Sequence, residues 1–284
     1  VTMDPDTVLA TQPIKRPTEW KPEEVILYHL GLGAGAHPVD AEHLRYVFEA
    51  DLKVLPTFGV ITAQPVAREL LTAPGIVFDP TLMLHGEQEL VVHRQLPALG
   101  AGTTSTGRIV GLYDKGKAAV LVTEVVLADG GVPLCTNRFS SFLRGAGGFG
   151  GDPGPATSKR TPARAPDAVY ELRTLPQQAA LYRLTGDHNP LHIDPEFAER
   201  AGFQRPITHG LCTWGMACKL VVDEILGGET TAVGSWGGRF SGVVYPGETL
   251  IVSTWQDADR IAVEVSSKER AEPVLSNGSL TIRQ

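Results

Sequence analysis

From Glu89 to Leu143 the chain repeats one pattern, a Val-, Leu- and Thr-rich run closed by a turn signal. The runs are Glu89–Gln95, Gly102–Asp114, Ala118–Ala128 and Pro133–Leu143, and the punctuation is Pro97…Gly100, Asp114-Lys-Gly116 and Asp129-Gly-Gly131. Branched side chains at this spacing form antiparallel strands joined by short turns, so a long meander is predicted. The second half repeats the plan with more helix. Strand-like runs cover Gly234–Val244, Thr249–Asp257, Arg260–Lys268 and Pro273–Ile282. Before them, His209–Leu226 carries Leu211, Trp214, Ala217/Cys218, Val221/Val222 and Ile225 at helical spacing. Pro133-Leu-Cys-Thr-Asn137 and Pro273-Val-Leu-Ser-Asn277 close the two halves alike, which points to internal duplication. An antiparallel sheet preceded by one apolar helix predicts an α+β fold in which each sheet wraps a helix. No run in the first half matches His209–Leu226, so the central helix of that repeat is expected to be shortened.

The 284 residues suit two domains. Gly145–Asp167, rich in Gly and Pro, reads as the linker between them. The division predicted is an N-terminal arm over 1–22, a first domain over 23–150, a linker over 151–168 and a second domain over 169–284. The Pro- and Thr-rich arm is expected to be poorly ordered. Glu23–Gly31 reads as a helix and Leu44–Leu52 as a strand, and Pro56-Thr-Phe-Gly59 opens a further segment, Val60–Leu71. Thr174 is placed as the cap of a helix over Leu175–Leu184, and Asp194 as the cap of a second helix stopped by Gly202.

Hydrophobic content of 42% with 20% charged residues describes a globular protein able to bury a core. A net charge of −7 carries no nucleic-acid footprint, and no apolar run is long enough to span a bilayer. Cys135, Cys212 and Cys218 lack the spacing of a zinc site and fit reduced core thiols. With no signal-peptide layout and no peroxisomal address at the last residues, the expected location is cytoplasmic.

Chemistry concentrates in Tyr182-Arg-Leu-Thr-Gly-Asp-His-Asn-Pro-Leu-His192. Asp187 and His192, within reach of one water, can hold it and move its protons, one accepting and the other donating. Asn189 can orient them, and Pro190 restricts the backbone before it. Gly210 opens the apolar helix, where the first N–H groups lack internal partners and a ligand oxygen can approach closely. Taken singly, Asp187 and Asn189 suit turn roles and His192 a satisfied core position. The loop and Gly210 together favour the catalytic reading. His85-Gly86 precedes a strand and reads alone as a surface feature. Lys115 lies in a turn, Arg160 and Arg164 in a basic linker, and Phe240 suits a core aromatic. P-loop, H-E-x-x-H and G-x-S-x-G motifs are missing from the sequence.

The Gly-Asp-x-Asn-Pro-Leu-His combination resembles the signature of the MaoC-like (R)-specific enoyl-CoA hydratases. Arg205-Pro-Ile-Thr-His-Gly-Leu-Cys-Thr213 and Phe240-Ser-Gly-Val-Val-Tyr-Pro-Gly-Glu248 fit the same family. In the first half, Leu55-Pro-Thr-Phe-Gly-Val-Ile61, Met83-Leu-His-Gly-Glu-Gln88, Asp114-Lys-Gly116 and Phe142…Gly147-Gly-Phe-Gly-Gly151 resemble the hydratase region of the peroxisomal multifunctional β-oxidation enzyme. Thr208 stands where those hydratases carry an apolar residue, and His188 where they carry Trp.

The resemblance implies a double hot-dog fold and reversible syn hydration of trans-2-enoyl-CoA to (3R)-3-hydroxyacyl-CoA in fatty-acid metabolism. It casts Asp187 and His192 as the groups that activate water, Asn189 as their orienter and the Gly210 N–H as the thioester-oxygen site. It implies substrate contacts from His85, Gly86, Lys115, His188, Pro190, Leu191 and Phe240. It gives the first domain acyl-chain and CoA binding, requires no metal or other cofactor, and implies a homodimer. Two other readings are a (3R)-hydroxyacyl-ACP dehydratase of fatty-acid synthesis and a non-catalytic acyl-thioester-binding subunit. Retention of Asp187, Asn189 and His192 argues against the second.

Overall fold

The computed structural model describes residues 3–156 and 161–283. In chain order the helices are α1 (Pro5–Leu9), α2 (Pro22–Gly31), α3 (Ala41–Leu44), α4 (Gly59–Leu70), α5 (Gln178–Tyr182), α6 (Pro195–Arg200) and α7 (Gly210–Glu224). The strands of the N-terminal part are β1 (Ile14–Pro17), β2 (Met83–Val92), β3 (Thr103–Asp114), β4 (Ala118–Asp129) and β5 (Val132–Arg144). Those of the C-terminal part are β6 (Ala168–Arg173), β7 (Val233–Phe240), β8 (Thr249–Gln256), β9 (Arg260–Ser267) and β10 (Pro273–Ile282).

Two compact units form, and neither is continuous in sequence. The first comprises Val1–Glu19, Gly59–Arg94 and Ala101–Lys159; the second comprises Trp20–Phe58, Gln95–Gly100 and Arg160–Gln284. Residues 20–58, assigned by sequence to the arm and the first domain, thus group with the C-terminal half, α2 lying against α5 and α7.

The first unit orders its antiparallel strands β1-β3-β4-β5-β2. Helix α4 lies on this sheet. Val66 fits over Gly107, where a β-carbon would come within 2.4 Å of it. Ser105 Oγ donates to the Thr62 carbonyl at 3.2 Å, and Asn137 Nδ2 donates to that of Gly59 at 3.0 Å. Leu70, Leu121 and Leu143 are fully buried, each stabilising the unit by about 1.5–3 kcal/mol.

The second unit orders its strands β7-β10-β9-β8-β6, which reproduces the first unit's order with each strand replaced by its counterpart. Asn137 and Asn277 fall on corresponding strands, β5 and β10, as the duplication predicts. Every residue of α7 from Leu211 to Val222 is buried, as expected of a helix enclosed on all sides. The counterpart α4 is shorter, 12 residues against 15, and Pro65 inside it removes one ladder hydrogen bond. Helix α2 packs on α7 at Gly215, where a β-carbon would lie 2.7 Å from the Tyr28 hydroxyl and 2.9 Å from Leu32. Gly31 at the end of α2 accepts from Gln178 Nε2 at 2.5 Å and from the Cys212 thiol at 3.3 Å.

Several local expectations are corrected. Leu44–Leu52 is not a strand: Asp40 caps the short helix α3 through the N–H groups of Glu42 and His43, and irregular turns follow. The described part of the N-terminal arm is ordered, because β1 pairs with β3 and Trp20 is buried. Thr174 does not cap a helix. It donates to the Glu248 carbonyl and accepts from Gly247 N–H, and α5 starts later, at Gln178.

Strand β2 starts at Met83, and a bulge between His85 and Glu87 hides its alternation in the sequence. It pairs with β5, so it stands outside the meander. The Gly-rich stretch is not a plain linker: the Asp114 carboxylate accepts from the N–H groups of Gly116, Gly148 and Gly150 at 2.8, 2.9 and 2.7 Å. Arg164 is tied to Asp167, and its carbonyl accepts from Trp255 Nε1 at 2.8 Å. Arg160 lies outside the described residues.

Candidate active site

The site lies in the second unit, where three short elements meet the start of α7. Helix α5 runs into a 3-10 turn over Arg183–Thr185, which Gly186 ends at φ +119°. That left-handed geometry suits glycine and turns the chain into Asp187. The half-buried Asp187 carboxylate accepts the Asn189 N–H at 3.3 Å, and Asn189 Oδ1 accepts the Leu191 N–H at 3.1 Å. Asn189 therefore organises the 3-10 turn Pro190–His192 that presents the histidine. Asp194 accepts from Glu196 and Phe197 N–H as the cap of α6.

His192 is buried at 9% exposure, and its Nδ1 faces the Ile207 carbonyl at 2.9 Å. A carbonyl only accepts, so the proton sits on Nδ1 and, in the neutral ring, Nε2 holds the basic lone pair. Thr208 N–H binds the Val244 carbonyl at 2.7 Å and fixes the approach to α7. The Thr208 hydroxyl is buried and makes no hydrogen bond among the described residues.

Gly210 is the first residue of α7, and the Phe240 ring at the end of β7 lies against its α-carbon. The positive end of a 15-residue helix therefore faces the loop that carries Asp187 and His192. Polar side-chain atoms of Asp187, His192 and His209 all lie within 4.8 Å of one another. One water can bridge a carboxylate and an imidazole at that range, with a backbone donor nearby for a developing oxyanion. The same three side chains are the donor set a metal ion would meet, although His192 Nδ1 and His209 Nε2 both face carbonyl oxygens.

Among the sequence-predicted residues, Asp187, Asn189, His192, Gly210 and Phe240 gather here, with His188, Pro190 and Leu191 on the same loop. His85, Gly86 and Lys115 belong to the first unit. There His85 Nε2 faces the Glu87 carbonyl at 3.1 Å and its ring stacks on Phe139. Gly86 lies in the β2 bulge, and Lys115 Nζ donates to the Pro153 carbonyl. His209 was missed as a site residue. Its only signal is position, as the residue before the glycine that opens the helix.

Two family descriptions match the chain: MFE-2 hydratase 2 N-terminal domain over residues 19–145 and MaoC like domain over 157–277. Enoyl-CoA hydratase ChsH3 of Mycobacterium tuberculosis is 44% identical over 279 residues, covering 97% of each chain. The chain belongs to the MaoC-like hydratase 2 family. Another member, the peroxisomal enoyl-CoA hydratase 2 of Arabidopsis thaliana, is 43% identical over 277 residues, covering 92% of this chain and 89% of that one. A solved MaoC-like dehydratase from Phytophthora capsici superposes with a TM-score of 0.87 at 30% identity, over 98% of this chain and 97% of that one. The fold is the double hot-dog of the MaoC-like proteins, as the repeated strand order implies. The hydratase 2 signature residues, Asp187 to His192, all fall inside the stretch matched by the MaoC like domain.

Proposed function

We propose that the protein adds water reversibly across the double bond of a trans-2-enoyl-CoA to give a (3R)-3-hydroxyacyl-CoA. The observation that carries this reading is the grouping of the Asp187 carboxylate and the His192 imidazole beside the Gly210 end of α7. Two relatives at 44% and 43% identity that bear the name enoyl-CoA hydratase support it.

In the proposed reaction Asp187 and His192 hold the water. One of them takes a proton as the water oxygen bonds to C3, and the π electrons move toward the thioester carbonyl. The Gly210 N–H and the helix dipole stabilise the enolate-like oxygen. A proton then reaches C2 on the same face, so the sum is H and OH added syn. The net change is addition of water, which calls for no electron carrier. The same groups serve the reverse dehydration. For His85, Gly86 and Lys115 we retain a role in binding acyl-CoA, checked by the KM of a Lys115→Ala variant.

No helix among the described residues is long and apolar enough to cross a membrane. Cytoplasmic residence and a homodimer are proposed with the reaction. Three buried free cysteines fit a reducing compartment, and light scattering on the purified protein tests the dimer.

The deciding assay follows loss of enoyl absorbance with trans-2-enoyl-CoA of several chain lengths and then determines product chirality. Hydration to the (3R) product supports the reading. A (3S) product, release of free CoA, or activity confined to acyl carrier protein thioesters overturns it.

A further inference from the structure

His209 is 1% exposed and occupies the cap position immediately before Gly210. Its Nε2 faces the Asp187 main-chain carbonyl at 3.0 Å. Its ring stacks on His192 with centroids 3.7 Å apart and planes inclined by 30°, and the Tyr182 ring lies 5.0 Å away on a tilted contact. Its own carbonyl accepts the Cys212 and Thr213 N–H groups at 3.0 and 3.2 Å, so its backbone belongs to the first turn of α7.

Three partners of the reaction thus meet at one residue. Through Nε2 the ring holds the peptide that carries the Asp187 carboxylate. Through its face it sets the plane of the His192 imidazole. Through its backbone it is continuous with the Gly210 N–H. The bond from Nε2 is long-range, joining residues 22 positions apart and tying the turn at Asp187 to the start of α7.

We propose that His209 is a positioning residue that couples the Asp187 loop and the His192 ring to the start of α7. It does so as the Nε2-protonated tautomer, opposite to His192, whose proton sits on Nδ1. The rate contribution rests on the hydratase reading above; the tautomer assignment does not.

Two variants separate the bond from the ring. His209→Phe keeps an aromatic face but removes the donor, and His209→Gln keeps a donor at Nε2 and removes the face. The loss in kcat for His209→Phe is expected to be about tenfold, the rate equivalent of one hydrogen bond, with KM changed less than about threefold. His209→Gln should recover part of that loss. An unchanged kcat in the Phe variant, a loss confined to KM, or no recovery in the Gln variant overturns the proposal.

The wild-type protein provides a readout independent of folding of the variants and of activity. Long-range 15N–1H correlation of the histidine rings should place the proton of His209 on Nε2 and that of His192 on Nδ1. The reverse pattern at His209 overturns the proposal. If wild type hydrates no enoyl thioester yet shows the expected tautomers, the hydratase reading has failed and the anchor stands.

Discussion

The Phe240 ring closes over the α-carbon of Gly210: a β-carbon built there would lie 3.1 Å from Cδ1 and 3.2 Å from Cε1. Gly210 has an ordinary helical backbone, without a positive φ. Glycine is therefore required here for the approach of the ring rather than for chain conformation. A Gly210→Ala variant should fold with a nearly unchanged melting temperature. Its kcat should fall about 10- to 100-fold, because the ring must shift by a few tenths of an ångström in a site built on such distances. Steady-state kinetics alongside thermal melts check this, and full activity in Gly210→Ala would end the oxyanion assignment.

Asp187 and His192 differ in what their loss does to folding. Asp187 is half-buried, so Asp187→Asn should leave stability unchanged while lowering kcat by at least about 10²-fold. His192 holds the Ile207 carbonyl, and His192→Ala should both inactivate and cost about 1–3 kcal/mol. His192→Asn, which offers a donor near the Nδ1 position, should recover stability without recovering rate. Urea titrations paired with rates distinguish the three.

Farther along α7, Lys219 Nζ meets Asp223 Oδ2 at 2.5 Å, and the Tyr46 hydroxyl donates to Oδ1 of the same carboxylate at 2.7 Å. Burial, and then the charge of Asp223, push the Tyr46 phenol far above its usual range, so it stays a donor. With side chains only 10% and 12% exposed, removing one partner strands the other. Lys219→Met should cost about 3 kcal/mol, and the Lys219→Met/Asp223→Leu double variant should regain part of it. A single variant as stable as wild type in urea would contradict this.

His29 gives the second unit an acid limit. Its Nδ1 faces the Tyr46 carbonyl at 2.7 Å and its Nε2 accepts the Leu55 N–H at 3.2 Å, which fixes a neutral ring. Burial above all, with the charge of Lys219, lowers its pKa to about 4, against smaller opposing effects of the Tyr46 carbonyl and Asp223. The unfolded chain binds the proton first. The stability is complete above about pH 6.5 and is lost as pH falls toward 4, by about 3 kcal/mol in all. Unfolding free energies across that range should show a shallower slope in His29→Gln; an identical slope would refute the assignment.

Asp114 gathers the Gly-rich segment, and the Gly148 N–H is the main reason its carboxyl lies below the usual range. Asp114→Ala should leave far-UV circular dichroism unchanged and speed limited proteolysis severalfold within Gly145–Pro155. Cleavage at the wild-type rate would mean the carboxylate does not hold the segment.

How much of this could be read from the chain depends on the range of the interaction. Strands β3, β4 and β5 were legible because alternation and turn residues are local signals, and Asp194 because a cap acts within one helical turn. The Leu44–Leu52 alternation misled because its spacing is compatible with a strand, while the Asp40 side chain satisfies the backbone of a helical turn instead. Thr174 looked like a cap because its partner, Glu248, lies 74 residues away. In the site, Asp187, Asn189 and His192 stood out through their types and spacing. His209 did not, since a histidine becomes an anchor only when a carbonyl 22 residues upstream arrives opposite its ring.

The interleaving of the two units sets an order of assembly. As the chain is made, the described residues of the first unit end at Ala156, whereas the second unit's opening segment, Trp20–Phe58, has been waiting since early in synthesis. Gly31 finds its thiol partner only 181 residues later, at Cys212. Such distant closures are slow, and the apolar face of α2 stays exposed until they occur. The nascent chain can therefore finish its first unit while α2 is still without α7, its apolar face unpartnered until the second half has been made.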